Sequence, residues 1–363
     1  MKKHLPSAMI IILMVFTVLL FSCTLHQPDT SDLVFFDGHN ERVTDVSTYS
    51  ELKVASIVTD KGNCYINGNW FDDEKCFGVD NIIQFNNWFQ NSVDPTRDDY
   101  IQIYNGGDAE KVRVSSAGGI IFTKKGTVFL FVNGNKQYRT PTQFSTDLYI
   151  DGYLDDDNTV YLLQKNGDFG YYHLSSPNKF NVIARNINKF KFQHIIQLST
   201  GNEYKKIYLL NKKHQLYIVD KDQYMIDESK CISDVVDFDV SDNTRVAYLT
   251  SDGTIYYSEQ YNPDVSIEYL LDKAVKQNLH QNDLKGFALY DGGIIYLYES
   301  ENVYVVGYEL GFGRSNGTYH NEMIGSDYQK VAADKDSICL INNDGILTRY
   351  GALPNGADNY LFF

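Results

Sequence analysis

Seven times along the chain, a strand-like apolar run leads into a short polar turn and a second apolar stretch. The copies are 54–62, 119–126, 159–167, 206–214, 245–253, 293–301 and 337–345. In the fifth, Arg245-Val246-Ala247-Tyr248-Leu249-Thr250 is closed by Ser251-Asp252-Gly253. The turn falls at 62, 126, 167, 214, 253, 301 and 345, and glycine holds that position in five copies. Asp-Gly and Asn-Gly pairs favour tight hairpins because such turns need positive φ. His214 and Glu301 replace the glycine in two copies, so looser turns are expected there. Two and three residues beyond the turn stand apolar or aromatic pairs such as Cys64-Tyr65, Leu216-Tyr217 and Val303-Tyr304.

Successive turns lie 39 to 64 residues apart, mostly between 40 and 50. A strand-rich repeat of that length is the signature of a β-propeller with one blade per repeat. Stacking blades around an axis buries sheet faces that no single blade can cover. The pattern therefore predicts an all-β, seven-bladed β-propeller. The segment Leu33-Val34-Phe35-Phe36 is expected to add an outer strand to the last blade. A pair of β-sandwiches is the competing architecture, and the shared spacing argues against it.

The motif of apolar strand, Asp-Gly, Val-Tyr and a later Gly resembles the repeat of regulator-of-chromosome-condensation proteins. Gly62 is followed by Gly68 and Gly345 by Gly351, each six residues on. Val303-Tyr304-Val305-Val306-Gly307 leads to Gly311 and Gly313. The third, fourth and fifth copies lack the second glycine. The resemblance implies a seven-bladed interaction scaffold. It does not carry nucleotide exchange or chromatin binding to this chain.

Two spacers exceed the repeat. The first, between Asn69 and Gly107, holds both tryptophans, Trp70 and Trp88, with Phe71, Phe77, Phe85 and Phe89. Long loops on a rigid scaffold often carry function, and Trp is enriched at interfaces. Trp70, Phe71, Trp88 and Phe89 are the candidate binding surface, although packing of this insertion on its blade is the simpler reading. The second, 261–284, contains Ile267 to Lys276, whose apolar spacing predicts a short helix.

The N-terminus has a different pattern. Lys2, Lys3 and His4 precede an uncharged apolar run from Ala8 to Phe21 that ends at Cys23. A basic start, a short apolar stretch and a small residue before the cut describe a signal peptide, here 1–22. The run is short for spanning a bilayer, which takes about 20 residues. Leu20-Phe21-Ser22-Cys23 resembles the lipobox of bacterial lipoproteins, with Phe21 where a smaller residue is usual. The resemblance implies a lipidated Cys23, a linker over 23–31, a domain over 32–363 and a place in the cell envelope, outside the cytoplasm.

Composition adds exclusions. The chain carries a net charge of −15, and loss of Lys2 and Lys3 would make it more acidic. That argues against nucleic acid, which rewards clustered cations. The 28 Tyr and 21 Phe suit half-buried strand positions. Cys64 and Cys76 are close enough in sequence for a disulfide, and free buried thiols are the alternative. The acidic runs 155–158 and 237–243 offer oxygen ligands but lack the spaced calcium loop with its glycine. Both are read as solvated turns preceding strands, with no metal and no cofactor assigned. No His-Glu-x-x-His motif is present. The expected function is a membrane-anchored interaction module for a protein or glycan. An envelope hydrolase with a site at the propeller axis and a structural subunit of an envelope complex are the alternatives.

Overall fold

The computed structural model describes residues 36, 38, 40–49, 54–67, 100–132, 141–146, 148–197, 202–221, 224, 226–241, 245–259, 266–277, 283–308, 319–335 and 337–351. These residues form seven antiparallel sheets in chain order, the blades of a propeller. Blade 1 contains β1 (Val43–Tyr49), β2 (Val54–Thr59), β3 (Cys64–Asn67) and β4 (Ile101–Tyr104). Blade 2 contains β5 (Ala109–Ser115), β6 (Gly118–Thr123), β7 (Val128–Val132) and β8 (Thr142–Ser145). Blade 3 contains β9 (Tyr149–Leu154), β10 (Thr159–Gln164), β11 (Phe169–His173) and β12 (Ser176–Ala184). Blade 4 contains β13 (Ile187–Gln197), β14 (Asn202–Asn211) and β15 (Leu216–Asp220). Blade 5 contains β16 (Val235–Ser241), β17 (Arg245–Thr250), β18 (Ile255–Glu259) and β19 (Val275–Lys276). Blade 6 contains β20 (Leu284–Tyr290), β21 (Gly293–Tyr298), β22 (Val303–Tyr308) and β23 (Tyr319–Gly325). Blade 7 contains β24 (Tyr328–Asp334), β25 (Ser337–Asn342) and β26 (Leu347–Gly351).

Each apolar hairpin seen in the sequence is the second and third strand of a blade, and the first strand lines the axis. The second strand is sandwiched on both sides, so β2, β6 and β21 are buried at every residue. Neighbouring residues of that strand serve different seams. Ile120 packs toward blade 3 and Ile121 toward blade 1. Seven apolar clusters result, one for each pair of adjacent blades. The last joins Cys339 and Ile341 of blade 7 to Val43, Ala55 and Tyr65 of blade 1, which closes the ring.

The seven turns are one structure repeated. The turn amide donates to the carbonyl three residues earlier in every copy, as in Gly62 to Thr59 and Gly345 to Asn342. His214 and Glu301 do the same, at φ 61° and 64°, where Gly62 has 75°. The expectation of looser turns at these two positions is thus corrected. The turn carbonyl explains why the shape persists: in six of the seven copies it accepts from the first residue of the next inner strand. Gly62 takes the Ala109 amide, His214 that of Val235 and Glu301 that of Tyr328, at 2.9–3.0 Å. At the closing seam, Gly345 accepts from Val43 at 2.9 Å. A turn that opened would lose a contact between blades, which outweighs the strain of a non-glycine residue at positive φ.

The predicted helix forms as α1 (Ile267–Lys273), capped by Ser266, whose hydroxyl accepts from the Tyr269 amide. It ends before the expected Lys276, because Val275–Lys276 leave it to pair as β19 with Tyr256 and Tyr257. Of the proposed closing segment, Phe36 alone is described. Its amide donates to Tyr100 of blade 1 at 2.8 Å and its ring packs against Tyr65. Leu33, Val34 and Phe35 lie outside the described residues.

Candidate functional site

The seven inner strands share a bulge near their start, where the register with the second strand shifts. Two residues past the bulge origin, in blade order, stand Asp45, Lys111, Asp151, Lys189, Asp237, Gly286 and Lys330. The charge alternates around the ring. An odd-membered ring cannot alternate throughout, and the uncharged glycine of blade 6 occupies the place where two like charges would otherwise meet. A second layer, two residues further on, includes Ser47, Arg113, Tyr153, Lys191 and Asp239.

These charges fasten blade to blade. Lys111 pairs with Asp151 at 3.2 Å and Lys189 with Asp237 at 2.6 Å, while Lys330 closes the ring onto Asp45. Arg113 bridges Asp45 at 3.3 Å and Asp151 at 3.1 Å, so one guanidinium joins three blades. Lys191 pairs with Asp239 at 2.8 Å. Asp45 and Asp239 also accept backbone amides of the next blade, from Val112 at 3.0 Å and Leu289 at 2.9 Å. The strands enclose an axial cavity of about 330 Å³, lined in part by Asp45, Arg113, Asp151, Lys191, Asp239 and Lys330.

Burial alone would raise the Asp151 carboxyl, but Arg113, Lys111 and the Gly152 amide outweigh it and hold the group at about 2. The unfolded value is about 3.9. A depressed carboxyl contributes stability that is present above the unfolded value and lost as pH falls through the folded one. Asp151→Asn is therefore expected to flatten the fall in stability between about pH 4 and pH 2. Urea midpoints of both proteins across that range check it, and parallel curves would count against the pairing. A carboxylate held this low is ionised at neutral pH and unsuited to act as a general acid there.

Asp156, Asp157 and Asn158 form the exposed turn expected before β10, but the acids of both runs are also engaged by lysines. Asp155 is buried, and Lys205 of blade 4 reaches it at 2.6 Å and Asp156 at 2.5 Å. Lys221 pairs with Asp155 and, at 2.9 Å, with Asp157. The run at 237–243 begins inside β16 rather than before a strand, and its Asp237 and Asp239 meet Lys189 and Lys191. Blade 4 thus supplies the lysines for the acids of both its neighbours. Among the described residues, no group of three or more His, Cys, Asp or Glu is placed to hold a metal ion.

Of the residues singled out in the sequence, Trp70, Phe71, Trp88, Phe89, Cys76 and Cys23 lie outside the described residues. Cys64 is buried in the seam between blades 1 and 2, its Sγ 3.4 Å from Ser56 Oγ, and burial pushes its thiol up to about 12. The axial ring went unread because its members keep no fixed distance from the turn. The hairpin joining the first two strands varies in length, above all in blade 4, where the paired segment extends to Gln197 and Asn202. Only the strand register reveals that Asp45 and Lys189 are equivalent.

No protein-family model matches the chain, and no curated protein matches it in sequence. Solved structures do resemble it. Human WBSCR16, an RCC1-like β-propeller, aligns with a TM-score of 0.55 at 10% identity, over 85% of this chain and 88% of that one. PorZ of Porphyromonas gingivalis, an essential bacterial surface component of the type-IX secretion system, aligns at 0.52 and 11% identity, over 88% of this chain and 37% of PorZ. Yeast RCC1 (Prp20), solved bound to Kap60, aligns at 0.48 and 12% identity, over 68% and 70%. With the seven sheets and their closed ring of seams, the first of these likenesses defines the class: a seven-bladed β-propeller of RCC1-like architecture.

Proposed function

We propose that this chain is a membrane-anchored lipoprotein of the bacterial cell envelope whose propeller acts as an interaction module for a protein or glycan outside the cytoplasm. The observation that carries the module reading is the state of the axis. Asp45, Asp151, Asp237 and Asp239 are each engaged by a lysine or arginine of a neighbouring blade. The axial charges thus act as fastenings within the ring, and recognition falls to the end faces of the propeller. The hydrolase alternative would need an axial carboxyl poised to donate a proton, and Asp151 is held the other way.

The anchor rests on Leu20-Phe21-Ser22-Cys23 behind a basic start and an apolar run. One cysteine bearing several acyl chains supplies more than the two signals that stable membrane attachment needs. Mass spectrometry of the mature N-terminus, with Cys23→Ser as control, tests it. The expected result is an acylated Cys23 and membrane association that the variant loses. An unmodified Cys23, or a variant that fractionates unchanged, overturns the anchor. Crosslinking in intact cells tests the module, with a reproducible envelope protein or glycan adduct on an end face as the expected result. Adducts to nothing but bulk lipid would count against it.

A further inference from the structure

The seven tight turns lie together on one face of the propeller, around the axial mouth, and their charges are divided. The turns of blades 2, 3 and 4 carry Lys124, Lys125, Lys165, Lys212 and Lys213, all exposed. Those of blades 5, 6 and 7 carry Asp252, Glu299, Glu301 and Asp344, exposed but for the half-buried Glu301. The blade 1 turn carries one charge of each sign, Asp60 and Lys61. Beside the turns the same face carries Arg42, Asp108, Asp168, Asp234, Asp283 and Asp327, so it is split into a mainly cationic half and an anionic half.

The order of the blades gives this split a symmetry. A two-fold axis lying in the face and running from blade 1 to the seam between blades 4 and 5 exchanges 2 with 7, 3 with 6 and 4 with 5. It returns blade 1 to itself. Every exchange sets a lysine turn against an acidic one: Lys125 against Asp344, Lys165 against Glu299, Lys213 against Asp252. Blade 1 meets its own copy, Asp60 against Lys61. Two-fold contacts use the same patch on both partners and need this self-complementarity. Leu148, Ile150, Val236 and Ile346 stand exposed on the same face, at 55%, 40%, 37% and 60%, and give the contact apolar area. An anionic lipid surface or a nucleic acid would suit the lysine half but be repelled by the other.

We propose that this face binds a second copy of the same chain, face to face, as a salt-sensitive symmetric dimer. The pairing does not depend on the lipid anchor, so its failure would leave the reading of Cys23 untouched. The test is sedimentation velocity of the full chain in nonionic detergent at low and high salt. A dimer is expected at low salt, weakened about ten-fold or more at high salt, since exposed pairs are individually weak and screened. Lys125→Glu/Lys165→Glu is expected to be monomeric, because glutamates of blades 2 and 3 then face the acids of blades 7 and 6. Glu299→Lys/Asp344→Lys is expected to be monomeric because its new lysines then face Lys165 and Lys125. An equimolar mixture of the two should recover a dimer of one of each. A wild-type chain that stays monomeric at low salt overturns the proposal, whether or not it binds anionic vesicles. So does a dimer indifferent to both pairs of substitutions, or a mixture that does not recover.

Discussion

Replacing Asp45 with alanine is expected to cost about 3 kcal/mol of stability or more, because one buried carboxylate serves three blades at once. Its side chain is 3% exposed and is held by Lys330 of blade 7 and Arg113 of blade 2. It also accepts the amide of wholly buried Val112 at 3.0 Å. Truncation strands that amide, which costs about 1–3 kcal/mol by itself. It also leaves Lys330 without its partner at the seam where the ring closes, although Arg113 keeps Asp151. Asp45→Asn retains an acceptor for the amide and loses only the charge, so it should fall roughly midway. Urea denaturation, followed by tyrosine fluorescence and far-ultraviolet dichroism, measures both variants. A loss below about 1 kcal/mol for alanine would show that the apolar seam between blades 7 and 1 closes the ring without the ion pairs.

Gly118→Ala is expected to be comparably damaging, for a steric reason. Gly118 opens β6 at φ +150°, a conformation that side chains other than glycine rarely adopt. A Cβ added there would lie 2.2 Å from the Phe131 carbonyl oxygen and 2.9 Å from Leu154 Cδ2, across the seam to blade 3. Strain and overpacking each cost about 1–3 kcal/mol, and the clashing partner is backbone that cannot swing away. Gly286→Ala makes the matched control, since its Cβ would meet nothing within 4 Å. The same urea measurement should place Gly118→Ala about 3 kcal/mol below the wild type and Gly286→Ala within about 0.5 kcal/mol of it. Equal effects would mean that the close approach of Phe131 relaxes at little cost.

Much of the fold was legible before any coordinates, and particular residues show why. Each hairpin recurs because β2 and its counterparts are buried on both faces and are therefore mostly apolar, whereas the turn that follows needs positive φ. Those demands are local, so they leave a mark at Gly62, Gly126, Gly167, Gly253 and Gly345. The charge split of the turn face was equally visible, in the lysines before three successive turns and the acids before the next three, but it had no meaning until the turns shared a face. The inner strands were not legible. Their residues alternate between a seam and the axis, with Asp, Lys and Val in close succession, so that β1 reads as Val-Thr-Asp-Val-Ser-Thr-Tyr rather than as an apolar run. The insertion bearing Trp70 and Trp88 was legible as a feature, and both tryptophans fall outside the described residues.

By itself, the sequence determined the number of blades, the place of every tight turn and the apolar strands between them, since each follows from hydrophobicity and backbone preference within about ten residues. Tertiary structure decided what those elements do to one another. It held His214 and Glu301 in the glycine conformation, because the turn carbonyl must meet the next blade. It turned two acidic runs into clamps for the lysines of blade 4. It placed Asp45 beside Lys330, 285 residues away, to close the ring. The physical reason is range: a turn is stabilised by its own few residues, whereas the worth of a buried charge depends on which partner the closed ring brings to it.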